Sequence, residues 1–471
     1  MANAAFVSTD TIRSLFTEAM SQMYRTEVPQ YGTLIELVAD VNAEVLAYNP
    51  ETKTQLERLG ELDRINVERH GAIRLGTASE LHTMRRLFAV MGMQSVGYYD
   101  LSVAGVPVHS TCFRPIDEAA LNINPFRVFT SLLRLELIED AGLRAEAEAI
   151  LARRNIFTKR AVDLIEMFER DGGLSEKDAE EFVSEALETF RWHGEATVSA
   201  ETYKRLHDAH RLIADVVSFK GPHINHLTPR TLDIDAVQKR MPERGITPKA
   251  VIEGPPRRTC DILLRQTSFK ALEEAIAFVG DEGANVGTHS ARFGEIEQRG
   301  VALTAKGRAL YDDLLASVRG EVQVGAGGGK ARDYDSQLAE QFRDFPDSWE
   351  ELRAKDLAFF RYSATDAGKQ AALRGGLKAE VNELLAKGLL RFDPIVYEDF
   401  LPVSAAGIFQ SNLGTDQQQN YATLSNRDAF EDALGAKVQD ELELYAGTQA
   451  ASLAAALADL GLSDVPQKSV A

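Results

Sequence analysis

The sequence predicts an α+β protein, on three observations. Short runs with strand alternation, VERHGAIRLGT, QSVGYYDLS and VPVHSTCFRP, occupy the first third. From about residue 140 to 218 only helical periodicity is present. Strand-like runs then return, interleaved with helical ones.

Taken in order, Thr9 or Asp10 can cap a first helix carrying Ile12, Leu15, Phe16, Met20 and Met23 at helical spacing. Pro29 and Gly32 are expected to break it before Leu34–Leu46 resumes the pattern. The strand containing VERHGAIRLGT follows, then a helix over about 79–91 and a hairpin turning at Ala104–Gly105. Four helical stretches fill 140–218, the last two opening on a Ser followed by acidic residues, a plausible N-cap. HINHLTPRTLDI, VIEGPPRRTCDILLRQTSFKAL and THSARFGEIEQRGVALT supply later strands, with helices expected near 232–242, 269–279 and 305–318. GAGGGK, within 322–335, lacks the phosphate-loop spacing, and Ala331 stands where Ser or Thr must contact magnesium, so this stretch reads as a flexible linker. A C-terminal α/β region runs from 336, with a long alanine-rich helical stretch over 426–458.

Bulk properties remove several function classes. Net charge is −19 without any basic block, which opposes a nucleic-acid or anionic-membrane surface. Two cysteines, Cys112 and Cys260, allow neither a disulfide framework nor a cysteine zinc cluster. No signal sequence or membrane-length apolar run is seen, so a cytoplasmic protein is expected.

Three segments can carry chemistry. Strand alternation puts His70 and Arg74 on one face of VERHGAIRLGT, about 13 Å apart along the backbone. In HINHLT, His226 shares a face with Thr228 while His223 points the other way, so at most one of the two joins a given metal site. FGEIEQRG aligns Glu295, Glu297 and Arg299, which fits either an ion-pair ladder or one metal-ligating carboxylate with supporting neighbours. Two histidines and a carboxylate from separate β segments match the ligand set of a non-haem iron(II) site with open positions. Arg74 could then hold the far end of a bound anion. His207 and His210 read as surface or packing residues. His289 reads as structural, roughly 20 Å of extended chain from Glu295.

VERHGAIRLGT, FKGPHINHLTPRTLDID, ARFGEIEQRGVALT and YEDFLPVSAAGIFQSNL, in this order, resemble the 2-oxoadipate dioxygenase/decarboxylase family across essentially the whole chain. The resemblance implies a vicinal-oxygen-chelate-like β-sheet core, a partly open barrel wrapped by helices. It implies iron(II), Fe(2+), held by His70, His226 and Glu295, with Arg74, Val403 and Ser404 binding a 2-oxo dicarboxylate. The preference for Glu295 over Glu297 comes from the resemblance; strand geometry permits either. The implied reaction turns 2-oxoadipate and dioxygen into D-2-hydroxyglutarate and carbon dioxide, a step of lysine catabolism. The organisation expected is one elaborated catalytic domain over 1–471, with a helical insertion at 140–218 and a C-terminal region, 336–471, completing the site.

Two other readings remain at this point. The same His/His/Glu set with zinc or manganese would serve an isomerase or hydrolase acting on a small carboxylic acid, distinguishable by turnover without oxygen uptake. A non-enzymatic scaffold would bind no divalent metal at all.

Overall fold

The computed structural model describes residues 6–269, 273–280, 286–290, 292–321, 336–375, 377, 379–401 and 426–462. The 322–335 segment, Val403 and Ser404 therefore lie outside the described residues. The chain is α+β, in two compact units: residues 1–253, 266–298 and 400–439 form one, and 254–265, 299–399 and 440–471 the other.

The larger unit is built on a five-stranded sheet. Its strands are β1 (Arg69–Leu75), β2 (Gln94–Asp100), β3 (Val108–Arg114), β4 (Arg127–Leu133) and β5 (Leu227–Pro229), ordered β2-β3-β4-β1-β5. β1 runs parallel to β4 and antiparallel to β5, while β3 is antiparallel to both β2 and β4. Among the described residues the sheet is open rather than a closed barrel. The hairpin of β2 and β3 falls where alternation placed it. β4 was not foreseen: every residue of RVFTSLL is buried, so the run lacks the alternation that marks a strand with one wet face.

Helices cover this sheet. α1 (Thr9–Glu27) buries Ile12, Phe16, Met20, Met23 and Tyr24 along one stripe, and Ser8, rather than Thr9 or Asp10, accepts its capping bond from Thr11 N–H. α2 (Pro29–Tyr48) starts at Pro29 and runs through Gly32. The expected break is thus one residue, Val28, because proline is well tolerated at a first helical position. Gly32 lets the Arg25 side chain lie against the backbone; a Cβ there would meet its Nε at 3.3 Å. α3 (Pro50–Leu59) precedes β1, and α4 (Ala78–Val90) follows it.

Between 141 and 217 come α5 (Ala141–Leu151), α6 (Lys159–Asp171), α7 (Glu176–Glu188), α8 (Ala200–Ala209) and α9 (Arg211–Val217). Ser175 and Ser199 cap α7 and α8 as their positions suggested. The last expected helix is divided at His210, whose extended backbone and ring cap α9: Nδ1 accepts from Leu212 N–H at 3.0 Å.

Three further expectations are corrected. HINH is not strand; only Leu227–Pro229 pairs with β1. The helix expected near 269–279 is a strand, β7 (Glu274–Ala277), because β8 (Val286–His289) pairs with it antiparallel and overrides the local helical preference of EEAIA. The alanine-rich stretch from 426 to 458 is two helices, Arg427–Leu434 and Glu441–Asp459. Gly435, at φ +71°, ends the first, and any Cβ there would lie 2.6 Å from the His82 ring.

Between β5 and β7 lies β6 (Leu264–Ser268), which pairs with β9 (Glu295–Arg299). The smaller unit contains the helix Ala305–Glu321 and the antiparallel pair Phe360–Ala364 and Leu390–Pro394.

Candidate active site

His70 sits on β1, next to the edge strand β5, opposite Arg127 of β4 on one side and Thr228 of β5 on the other. The approach of the neighbouring segment depends on Gly71. A Cβ at that position would lie 2.4 Å from Ile224 Cδ1 and 2.9 Å from the His226 carbonyl oxygen. Asn225 N–H donates to the Ala72 carbonyl at 3.0 Å, tying the HINH segment to β1. Phe293 N–H donates in turn to the Asn225 carbonyl at 3.1 Å, tying in the chain that leads to Glu295. The α1 residue Tyr24 reaches both segments, its hydroxyl 3.0 Å from the Asn225 carbonyl and 2.8 Å from that of Phe293.

These ties bring three predicted ligands together. Ligand atoms of His70, His226 and Glu295 lie within 4.8 Å of one another, and all three residues are buried. His70 Nε2 is 2.9 Å from Glu295 Oε1, and His226 Nε2 is 3.7 Å from the same oxygen. The imidazoles stand edge-to-face, 5.2 Å between centroids. Phe400 packs edge-on to His70 and Phe293 lies against His226, giving the group an apolar wall.

Glu295 and Glu297 have different duties. Glu297 Oε2 stands 2.9 Å from His70 Nδ1, on the ring edge away from Glu295. A carboxylate there orients a metal-binding imidazole by holding its second nitrogen. Glu295, and not Glu297, is the acid grouped with His70 and His226. Thr228 Oγ1 and Gln266 Nε2 donate to Glu295 Oε1 at 3.1 and 2.9 Å. Arg299, expected on the same face, instead donates to the carbonyls of Tyr397 and Asp399.

Burial and mutual pairing set the charge states of this group. Burial pushes His70 down, but Glu297 and Glu295 more than offset it, so its pKa stands above the ordinary value. Burial holds His226 down to about 4, leaving it neutral. Burial pushes Glu295 up, yet His226, His70 and Thr228 keep it below the usual carboxylate range. Both His226 ring nitrogens and Glu295 Oε2 are buried without a hydrogen-bond partner. Buried polar atoms are seldom left this way, and a divalent cation among two imidazoles and a carboxylate would satisfy them.

Arg74 is partly buried, and its Nη1 donates to Asp215 Oδ2 at 2.7 Å. His223 and His289 lie outside the first group and converge on Asp215. Sequence reasoning missed Asp215 and Gln266, and left Glu297 open between an ion-pair ladder, a ligand and a supporting neighbour. Asp215 had a signal, as the lone polar residue in the apolar run LIADVV; Gln266, next to Arg265, had none.

Known proteins of similar sequence and fold point to one family. The family profile described as 2-oxoadipate dioxygenase/decarboxylase matches residues 16–412. The Pseudomonas putida 2-oxoadipate dioxygenase/decarboxylase is 59% identical over 460 residues, 98% of this chain and 99% of that protein. The Escherichia coli protein of the same name is 59% identical over 448 residues, 94% of this chain and 97% of its own. A crystal structure of the Pseudomonas putida hydroxyglutarate synthase in complex with 2-oxoadipate aligns with a TM-score of 0.91 at 58% identity, covering 98% of this chain and 100% of that one. By its motifs, its fold and its full-length similarity, the chain belongs to the 2-oxoadipate dioxygenase/decarboxylase family.

Proposed function

We propose that this protein converts 2-oxoadipate and dioxygen to D-2-hydroxyglutarate and carbon dioxide in lysine catabolism, with iron(II) held by His70, His226 and Glu295. The observation that carries the reading is the convergence of those three buried side chains, with both His226 ring nitrogens and Glu295 Oε2 left without a hydrogen-bond partner. Iron(II), when bound, supplies chelation of the 2-oxo acid end and the redox chemistry of dioxygen.

The chain's own residues do the rest. Glu297 holds His70 by its Nδ1 edge, so that Nε2 faces the group. Neutral His226 offers its ring nitrogen without first losing a proton. Gln266 and Thr228 fix the Glu295 carboxylate by donating to Oε1. Phe400 and Phe293 shield the reacting end from water. Arg74 binds the distal carboxylate, since a guanidinium has a forked set of donors matched to carboxylate geometry. Val403 and Ser404, in the C-terminal region from 336, are proposed to complete the substrate contacts. The structures and names of the relatives support this substrate: the Pseudomonas putida structure is described as a complex with 2-oxoadipate. A cytoplasmic setting is consistent with the free cysteines Cys112 and Cys260. Among the described residues no helix is long and apolar enough to cross a membrane.

The test is oxygen uptake by metal-stripped protein reloaded anaerobically with iron(II) and mixed with 2-oxoadipate, with 2-hydroxyglutarate assayed as product. The expected result is one dioxygen per product, dependent on iron and lost in His70→Ala. Product formation without oxygen uptake, or full activity with zinc, would overturn the proposal in favour of an isomerase or hydrolase.

A further inference from the structure

Arg74 is held from outside its own strand. Its partner Asp215 projects from α9, 141 residues further along the chain, and takes Nη1 on Oδ2 at 2.7 Å. The other oxygen, Oδ1, is met by two imidazoles: His289 Nε2 at 2.8 Å and His223 Nε2 at 3.2 Å. His289 is fixed at its far edge, where Nδ1 lies 2.8 Å from the Tyr203 hydroxyl. Trp192 stacks on His289, at 7° between planes, and meets His223 edge-on with centroids 4.7 Å apart. Asp215, His223 and His289 are all buried.

An acid and two imidazoles at these distances have the composition of a metal site. The surroundings favour another role. Oδ2 already carries the Arg74 guanidinium, which would repel a second cation beside it, and both nitrogens of His289 are engaged. What the cluster does is immobilise a carboxylate, and through it a long, otherwise many-rotamer arginine side chain.

We infer that Asp215, held by His289 with His223 close beside it, is a positioning residue that sets the reach of Arg74 and thereby the chain length of the 2-oxo dicarboxylate accepted. The inference rests on the proposed role of Arg74 toward the distal carboxylate. A 2-oxo acid gripped at its keto end places that carboxylate at a distance set by its methylene count. An untethered arginine follows shorter and longer acids alike; a braced one presents its donors at a single distance. Shape discrimination of one methylene is otherwise modest, about 10- to 200-fold, so a fixed charge partner adds selectivity that an apolar wall lacks.

The experiment compares 2-oxoadipate with 2-oxoglutarate, one methylene shorter, by kcat/KM and by anaerobic calorimetric Kd on the metal-loaded protein. Wild type should favour 2-oxoadipate in both readouts, and Asp215→Asn should reduce that preference by about tenfold or more. Tyr203→Phe, which removes only the far end of the brace, should shift the ratio in the same direction by less. A merely structural role would lower both acids together and leave the ratio unchanged, and that result overturns the inference, as does a wild type without the preference. If Asp215→Asn does not fold, Tyr203→Phe and His289→Gln decide by the same ratio. Arg74→Met against 2-oxohexanoate, which has the same length but no distal carboxylate, is the separate control. If it leaves the preference for 2-oxoadipate over 2-oxohexanoate intact, the role of Arg74 itself fails, whatever the brace does.

Discussion

Replacing Glu297 by Gln should weaken divalent-metal binding while leaving the fold in place. The side chain keeps its size and one acceptor oxygen, so the loss is the charge 2.9 Å from His70 Nδ1. At an effective dielectric of about 20, a unit-charge pair at 2.9 Å attracts by about 6 kcal/mol, which bounds the effect from above. The observable change is smaller, because the carboxylate favours His70 in the metal-free protein as well as in the loaded one. Partners of a ligating imidazole are worth about 10- to 100-fold in metal affinity, or about 1.4–2.8 kcal/mol. The assay is competition for iron(II) under argon against a chromophoric chelator, with urea unfolding of the metal-free variant as the control on folding. His70→Ala should lose more than Glu297→Gln. Affinity within twofold of wild type, in a variant that unfolds normally, would refute the argument that Glu297 orients His70.

Two further outcomes are expected. Gly71→Ala forces Ile224 and the His226 carbonyl away from β1. It should lower stability by about 1–3 kcal/mol in urea unfolding and weaken metal affinity in the same competition assay; an unchanged metal affinity would show that the HINH segment relaxes without moving His226. His109, buried beside Tyr98 and Phe430, has its pKa held down from 6.5 to about 4, chiefly by burial and then by Arg134. The unfolded chain therefore binds the extra proton first, so this contribution is complete above pH 6.5 and is lost as pH falls toward 4, by at most about 3 kcal/mol. Urea midpoints at pH 7 and pH 5 should diverge less in His109→Gln than in wild type; equal slopes would contradict the sign.

Much of the site could be read from local pattern, because strand alternation is a purely local geometric rule. It placed His70 and Arg74 on one face of β1 and Glu295 and Glu297 on one face of β9, where both acids flank His70; for His223 and His226 it did not apply, because HINH is not strand. The capping serines of α7 and α8 were legible for the same reason, since a cap is satisfied within three residues. Family likeness then selected Glu295 over Glu297, which alternation leaves equivalent.

The remainder depends on which distant segments meet. Glu297 stands beside His70 because β9 lies where both its carboxylates flank one imidazole. Gln266 reaches Glu295 only through the pairing of β6 with β9, and Asp215 reaches Arg74 only because α9 packs its acid toward β1. β4, buried on both faces, had no alternation to reveal it, and β7 became strand because β8 lay beside it. Period and capping are properties of a few consecutive residues, whereas a strand partner or a buried ion pair joins segments separated along the chain, by nine or more residues for β7 and β8 and by 141 for Arg74 and Asp215. No local pattern encodes that distance; packing does.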